Sequence, residues 1–316
     1  MADLDVATSE NDIEQSIAQV YIQILYAAES VKVNENTLQV SEAQRDRGKQ
    51  LLDAGSIARS DYAQLEAQVS TDRYQLVTAQ ATLQDYKLQL KQLLELDGEQ
   101  EMQVYLPALG DENVLSPLPT KTDVFRSAVA LRPEIEASKL SVEASELGIG
   151  IAKSGYLPSV SLTAGIGTNH TSGSDFTFGE QVKNGWNNSI GLSISVPIFN
   201  NRQTKSAVEK AKLQYQTSQL TLLDEQKTLY KTIEGLWLDA NSAQQRYAAA
   251  IEKLHSTQTS YELVSEQFNV GMKNTVELLT EKNNLLQAQQ ELLQSKYMAI
   301  LNTQLLKFYQ GDKITL

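Results

Sequence analysis

Apolar positions along this chain follow two different periods, and each predicts a different backbone. Between residues 8 and 53 they fall at Ile13, Ile17, Val20, Ile24, Ala28 and Val31, three or four apart, with no proline and with Gly48 as the one glycine. That spacing lines one face of an α-helix with a coiled-coil-like seam. About 45 helical residues reach roughly 70 Å, more than a globular core needs. Ala54-Gly55-Ser56 ends the pattern, because glycine adopts the left-handed conformation that closes a helix. Ser56 or Ser60 is placed to cap the next one. The returning segment carries Tyr62, Leu65, Val69, Leu76, Ala79, Leu83, Tyr86, Leu90 and Leu93, with Asp72 as the single interruption. Residues 8–54 and 57–95 are therefore expected to form a long antiparallel helical hairpin.

Residues 97–122 hold Asp97-Gly98, Pro107, Gly110, Pro117 and Pro119 and read as a loop or small subdomain. A helix is expected from about Asp123 to Lys153, interrupted at Leu131-Arg132-Pro133-Glu134 because proline breaks or restarts a helix. The period then drops to two. Val160, Leu162, Ala164 and Ile166 alternate with Ser159, Ser161, Thr163 and Gly165. Ile190, Leu192, Ile194, Val196 and Ile198 alternate with Ser189, Gly191, Ser193 and Ser195. These are two strands, each with an apolar face and a small polar face. Thr168 to Asn188 between them reads as a long exposed loop with Phe176, Phe178 and Trp186. Helical spacing resumes near Gln203 and lasts to Val270. Gly271 marks a turn, and a last helix runs from Thr275 to Phe308. That helix bears two apolar stripes, one through Leu278, Leu285, Ala288, Leu292, Ala299 and Leu306, the other through Leu279, Leu286, Leu293 and Ile300. Two stripes imply neighbours on two sides, as in a closed ring of helices.

A second regularity overlies the first. Residues 4–55 reappear at 220–271 without a gap, 216 positions on: Ile13 with Leu229, Ile17 with Ile233, Tyr21 with Trp237, Leu52 with Phe268, Gly55 with Gly271 and, beyond the glycines, Asp61 with Glu277. Self-similarity at so long a period means a duplicated structural unit. The second copy is preceded by the strand pair, whereas any counterpart for the first would lie before Met1. The chain thus reads as a repeat protein lacking most of its first half-unit.

Composition narrows the function. The chain has 316 residues, 41% apolar and 21% charged, with six prolines. That mix suits long solvated helices better than a compact α/β enzyme. No run of about 18 apolar residues exists, so no membrane-spanning helix is expected. Met1-Ala2-Asp3-Leu4-Asp5 shows no basic region followed by an apolar stretch, so no signal peptide is visible. The absence of cysteine excludes disulfides, thiolate metal sites and cysteine nucleophiles. A net charge of −12 argues against nucleic acid as a partner. His170 and His255 are isolated, no phosphate loop or catalytic triad is present, and no cofactor is expected. A lone two-stranded hairpin is marginal in water. Strands of about ten residues match the length a tilted strand needs to cross a bilayer, with the apolar face toward lipid and the Ser/Thr/Gly face toward a lumen.

The order strand pair, long helix, glycine turn, long returning helix, in duplicate, resembles the TolC-type outer-membrane efflux proteins. Leu131-Arg132-Pro133-Glu134-Ile135, Tyr156-Leu157-Pro158-Ser159-Val160-Ser161-Leu162 and Leu192-Ser193-Ile194-Ser195-Val196-Pro197-Ile198-Phe199-Asn200 carry the likeness, together with the two glycine tips. The resemblance implies a mainly α fold with a small β part: long antiparallel coiled-coil hairpins in two repeats, plus a transmembrane strand pair. In that family three copies form a β-barrel in the outer membrane continuous with a periplasmic tunnel. The channel is not an enzyme; it passes exported small molecules or proteins for a periplasmic adaptor and an inner-membrane pump. The expected parts are a first-repeat hairpin (1–96), an equatorial loop region (97–122), an ascending helix (123–155), the strand pair with its extracellular loop (156–200), a second-repeat hairpin (201–309) and a tail (310–316). With one strand pair, three copies of this chain cannot close the family's usual barrel, so a truncated chain is expected. The alternative is a periplasmic coiled-coil adaptor or scaffold, which usually has one hairpin rather than two.

The resemblance also marks residues. It implies a constriction at the periplasmic mouth, with Glu277 at an acidic-ring position and Lys273 at a basic link position. A second family acid falls on Thr280, so that ring is lost or displaced to Glu281. Asp61 is the first-repeat equivalent of Glu277. Carboxylates converging on a narrow pore attract cations. The tips, Gly55 and Ser56 in one repeat and Gly271, Met272 and Asn274 in the other, are the expected contact surface for the adaptor.

Overall fold

The computed structural model describes residues 1–96, 102–107, 109–110 and 114–314. Asp97-Gly98, and the end of the expected tail, lie outside the described residues. The elements run α1 (Ala2–Asp53), α2 (Arg59–Leu93), α3 (Lys121–Leu131), α4 (Pro133–Ser154), β1 (Ser159–Gly167), α5 (Phe178–Asn184), β2 (Asn187–Ser195), α6 (Gln203–Asn269) and α7 (Thr275–Gln310). They form two units, Met1–Glu136 with Gln226–Leu316, and Ala137–Glu225.

In the first unit, α1 and α2 pack along their length as the seam requires, and α7 lies against α1. A core of Ile22, Leu25, Val114, Ala243, Tyr247, Tyr297, Ala299 and Ile300 joins α1, α6 and α7. Around residues 18–28, α1 is buried on two sides, through Ala18, Ile22 and Leu25 and through Ile24 and Ala28. The expected seam position Ile13 is instead exposed, because it lies on the uncovered face of a turn whose other face meets α7 through Gln15 and Tyr309. Beyond Val31 the buried seam continues at unbroken three- and four-residue spacing through Asn34, Thr37, Ser41, Gln44 and Gly48. It is therefore polar and small toward the tip. A Cβ on Gly48 would lie 2.3 Å from Leu65 Cδ1, so hydrogen there lets α1 and α2 approach.

Side chains from α1 and α6 hold the segment between α2 and α3, and the repeat is visible in how they do it. Tyr21 Oη donates to the Tyr105 carbonyl at 2.7 Å, and its counterpart Trp237 Nε1 donates to the Pro119 carbonyl at 2.9 Å. Gln244 donates to the Val114 and Ser116 carbonyls, both at 2.8 Å. Pro133 breaks the helix as expected. Arg132 takes an extended conformation, its N–H closes α3 on the Ala128 carbonyl, and proline opens α4, where a missing N–H costs nothing. The Arg132 guanidinium lies over the rings of Phe308 and Tyr309, 4.2 and 4.1 Å from their centres, and donates to the Phe308 carbonyl, tying α3 to the end of α7.

The second unit contains the strands. β1 and β2 pair antiparallel from Ser159↔Ser195 to Gly167↔Asn187. Val160 faces Ile194, Leu162 faces Leu192 and Ala164 faces Ile190, while Ser161 faces Ser193 and Thr163 faces Gly191. The ribbon thus has one apolar and one small polar face, as the alternation demands. Every residue of both strands is exposed. β2 stops at Ser195, short of the expected Ile198, because Pro197 has no N–H for a ladder. The connecting segment is not wholly irregular as expected. It contains α5, whose Glu180 accepts from the Thr177 backbone N–H at 2.9 Å. Thr177-Phe178-Gly179-Glu180 is a capping-box sequence that announced this helix. Elsewhere in the unit, Ser145 and Ser218 hydroxyls bond at 2.7 Å, joining α4 to α6.

Candidate functional site: two equivalent tips and a buried ion pair

The two hairpin turns close with the same backbone bonds. Gly55 and Gly271 have φ of 73° and 78°. The N–H groups of Gly55 and Gly271 bond the Leu52 and Phe268 carbonyls, and those of Ser56 and Met272 bond the Leu51 and Gln267 carbonyls. This double closure is a Schellman motif, and it needs the left-handed residue that glycine supplies at least cost. Each outgoing helix then starts with an acid in its first turn. Asp61 accepts from the Ala58 N–H at 3.3 Å. Glu277 accepts from the Asn274 N–H at 3.2 Å while Asn274 Oδ1 accepts from the Glu277 N–H at 2.9 Å, a reciprocal capping box. The expected caps Ser56 and Ser60 make no such bond to α2; Ala58 occupies the cap position.

Of the marked residues, Lys273 and Glu277 are brought together, at 2.5 Å on one turn. Glu281 turns to α6 and accepts from Ser260 Oγ at 2.9 Å. Thr280 bonds back to the Val276 carbonyl. Gly55, Ser56, Gly271, Met272 and Asn274 are exposed. The hydrogen bonds from Lys273 and the Asn274 N–H hold the Glu277 carboxyl below its ordinary 4.5. A carboxyl with a depressed folded pKa adds stability that is present above its unfolded pKa and is lost as pH falls through the folded one. Acidifying from pH 5 through the range below 4.5 is therefore expected to reduce amide protection at the start of α7. Glu277→Gln should remove that pH dependence; the same loss in both proteins would contradict it.

Behind the tips lies an apolar plug of Leu65, Phe268 and Leu278, with Leu51, Tyr261, Val264 and Leu279 packed on it. Next along α2 and α7 comes a site the sequence reading did not assemble. Asp72 and Lys282 form an ion pair with side chains 1% and 3% exposed. Ser41 of α1 completes it: its hydroxyl donates to Asp72 Oδ2 at 2.5 Å and accepts from Lys282 Nζ. Gln68 Nε2 donates to the other carboxylate oxygen at 2.9 Å. Burial pushes the Lys282 pKa down, and Asp72 pulls it back up. The signal was present as charge in a seam. Asp72 lies three residues from Val69 and four from Leu76, and Lys282 four from Leu278 and three from Leu285. Which charges meet, and that Ser41 joins them, depends on how the hairpins pack.

Among the described residues, no helix is long and apolar enough to cross a membrane, and no group of three or more His, Cys, Asp or Glu could hold a metal ion. The fold is that of a duplicated long-helix hairpin protein bearing one uncovered β-ribbon. Residues 124–311 match the family model described as outer membrane efflux protein, and the chain belongs to that family. It is 25% identical over 313 residues to Outer membrane protein TolC of Escherichia coli (strain K12), covering 95% of this chain and 61% of that protein. It is also 25% identical over 294 residues to Outer membrane efflux protein BepC of Brucella suis biovar 1 (strain 1330), covering 92% of this chain and 61% of that protein. A solved structure of CusC superimposes with a TM-score of 0.83 at 19% identity, covering 98% of this chain and 70% of that one. The chain thus spans 61% of the length of these two curated relatives.

Proposed function

We propose that this chain belongs to a channel subunit of a tripartite efflux or type I secretion system, a passive conduit for exported small molecules or proteins. It sits in the cell outer membrane as a homotrimer, with the helical part in the periplasm. The ribbon meets outer-membrane lipid and further strands, the tips meet a periplasmic adaptor, and an inner-membrane pump supplies the drive. The observation that supports this best is the ribbon. Val160, Leu162, Ile190, Leu192 and Ile194 are 64% to 84% exposed on one face, and both edges are unpaired within the described residues. Such a surface is costly in water and suits a lipid-facing wall completed by other strands.

The test is extraction and conductance of the full-length protein. Extraction that requires detergent, and stepwise conductance in planar bilayers, are the expected results. A protein that is soluble without detergent and silent in bilayers would instead favour the adaptor or scaffold reading. In the same bilayers, replacing Asp61 and Glu277 together with alanine should lower cation selectivity, because two carboxylates per subunit leave the mouth. Unchanged selectivity would remove both from the constriction.

A further inference from the structure

Away from the tips, α6 and α7 leave a groove that the conduit reading does not use. The seam there is made of small residues. On α7 the buried positions Ala288, Ser295 and Asn302 recur every seven residues, and on α6 Ala243 and Ala250 do the same. Alanine and serine in facing seam positions leave space that leucine would fill. The result is an open groove of about 520 Å³, within the range of about 300–1,000 Å³ that small-molecule sites occupy. One contact sets its register. Lys253 Nζ meets Glu291 Oε2 at 2.7 Å and closes one end. Counting back from that pair along two antiparallel helices sets Arg246 opposite Met298 and Ser242 opposite Asn302. Asp239 lies at the far end. At 1.5 Å per residue, Lys253 and Asp239 are about 21 Å apart, so the groove is long and narrow.

Two groups in the groove lack a partner. The Asn302 side chain is 6% exposed, lines the groove and has an Nδ2 with no hydrogen-bond partner. A buried donor left unpaired costs free energy until something in the site accepts from it. Arg246, about one turn along α6 from the level of Asn302, lines the same groove and makes no ion pair among the described residues. From Arg246 toward Lys253 the walls are the Ala249 and Ala250 methyls and the Met298 side chain. Ser295 donates its hydroxyl to the Glu291 and Leu292 carbonyls of its own helix and offers the groove no donor. Unpaired donor, unpaired cation and apolar trough thus follow one another along the groove. We propose that it binds an amphiphilic carboxylate with a single unbranched alkyl chain. The carboxylate sits between the Arg246 guanidinium and the Asn302 amide. The chain lies over Ala249, Ala250 and Met298 toward the Lys253–Glu291 pair. An anionic head is favoured because both unpaired groups donate. Asp239 repels it from the far end, which fixes the direction of the chain. The site does not depend on the conduit reading.

The test uses ω-trifluorodecanoate as the probe. It is titrated into the full-length protein in phosphatidylcholine nanodiscs and followed by fluorine NMR, with empty discs as the background. A saturable bound signal, absent from empty discs, is the expected result. Ala249→Phe fills the trough from an exposed position and should abolish that signal. Arg246→Gln should weaken binding about tenfold, as loss of a charge-assisted hydrogen bond does. Each methylene removed from the chain should weaken it a further fourfold or so, at about 0.8 kcal/mol per buried methylene. Uptake that never saturates would place the probe in the lipid or on the ribbon and overturn the site. Saturable binding that either variant leaves unchanged would overturn it too, as would no bound signal at all, the result if a second copy or a partner helix covers the groove. Conductance of the parent protein keeps the two readings apart. A silent protein with saturable binding sinks the conduit and keeps the site; a conducting protein without it does the reverse.

Discussion

Replacing Lys282 with methionine is expected to lower stability by about 3–5 kcal/mol, the usual cost of breaking a buried pair by removing one partner. Methionine fills much the same space, so the loss is electrostatic rather than steric. It leaves the Asp72 carboxylate almost wholly buried, with Ser41 and Gln68 as donors and no counter-charge. Asp72→Leu should cost a similar amount by stranding the ammonium group. The double replacement should recover most of the loss, because two apolar side chains in seam positions need no partner. Urea unfolding of the four proteins forms a double-mutant cycle, and a coupling of less than about 0.5 kcal/mol would mean the charges do not depend on each other.

The second large effect concerns the plug. Phe268→Ala is expected to cost about 3–5 kcal/mol, since the ring is 2% exposed and packs on Leu65 and Leu278. Leu52, its partner in the repeat, is only half-buried, and Leu52→Ala should cost about 1–2 kcal/mol on the area it covers. Equal losses at the two positions would mean that the two tips are equivalent in packing as well as in backbone. The difference arises because α7 and α2 both press on the Phe268 side of the plug.

Local features were legible because their causes are local. Gly55 and Gly271 close both tips with the same bonds because a left-handed residue after a helix needs no help from a neighbour. Alternation in 159–166 and 189–198 predicted the ribbon's two faces, since strand side chains alternate whatever the strand packs against. Pro133 broke its helix as expected because a missing N–H acts at once, whereas Pro197 ended β2 at Ser195 for the same reason, short of the Ile198 to which the alternation runs. Where the reading fell short, a second segment was involved or a short signal was passed over. Asp72 looked like an interruption in a seam until Lys282 and Ser41 were set beside it from 210 and 31 residues away. Ile13 belonged to a good apolar series but lies on the open face of its turn, the other face meeting α7. The helix α5 was announced by its capping box and missed.

Periodicity, glycine and proline positions and the 216-residue repeat were enough to establish long paired helices, equivalent tips and a two-faced strand pair, because each follows from bonding within one stretch of chain. The repeat made Leu52 and Phe268 look alike, and Asp72 and Lys282 look like unrelated charges. Packing between hairpins separated the first pair and joined the second. Burial and charge pairing depend on which helix faces which, and that is settled by the meeting of α1, α2, α6 and α7 rather than by any one of them.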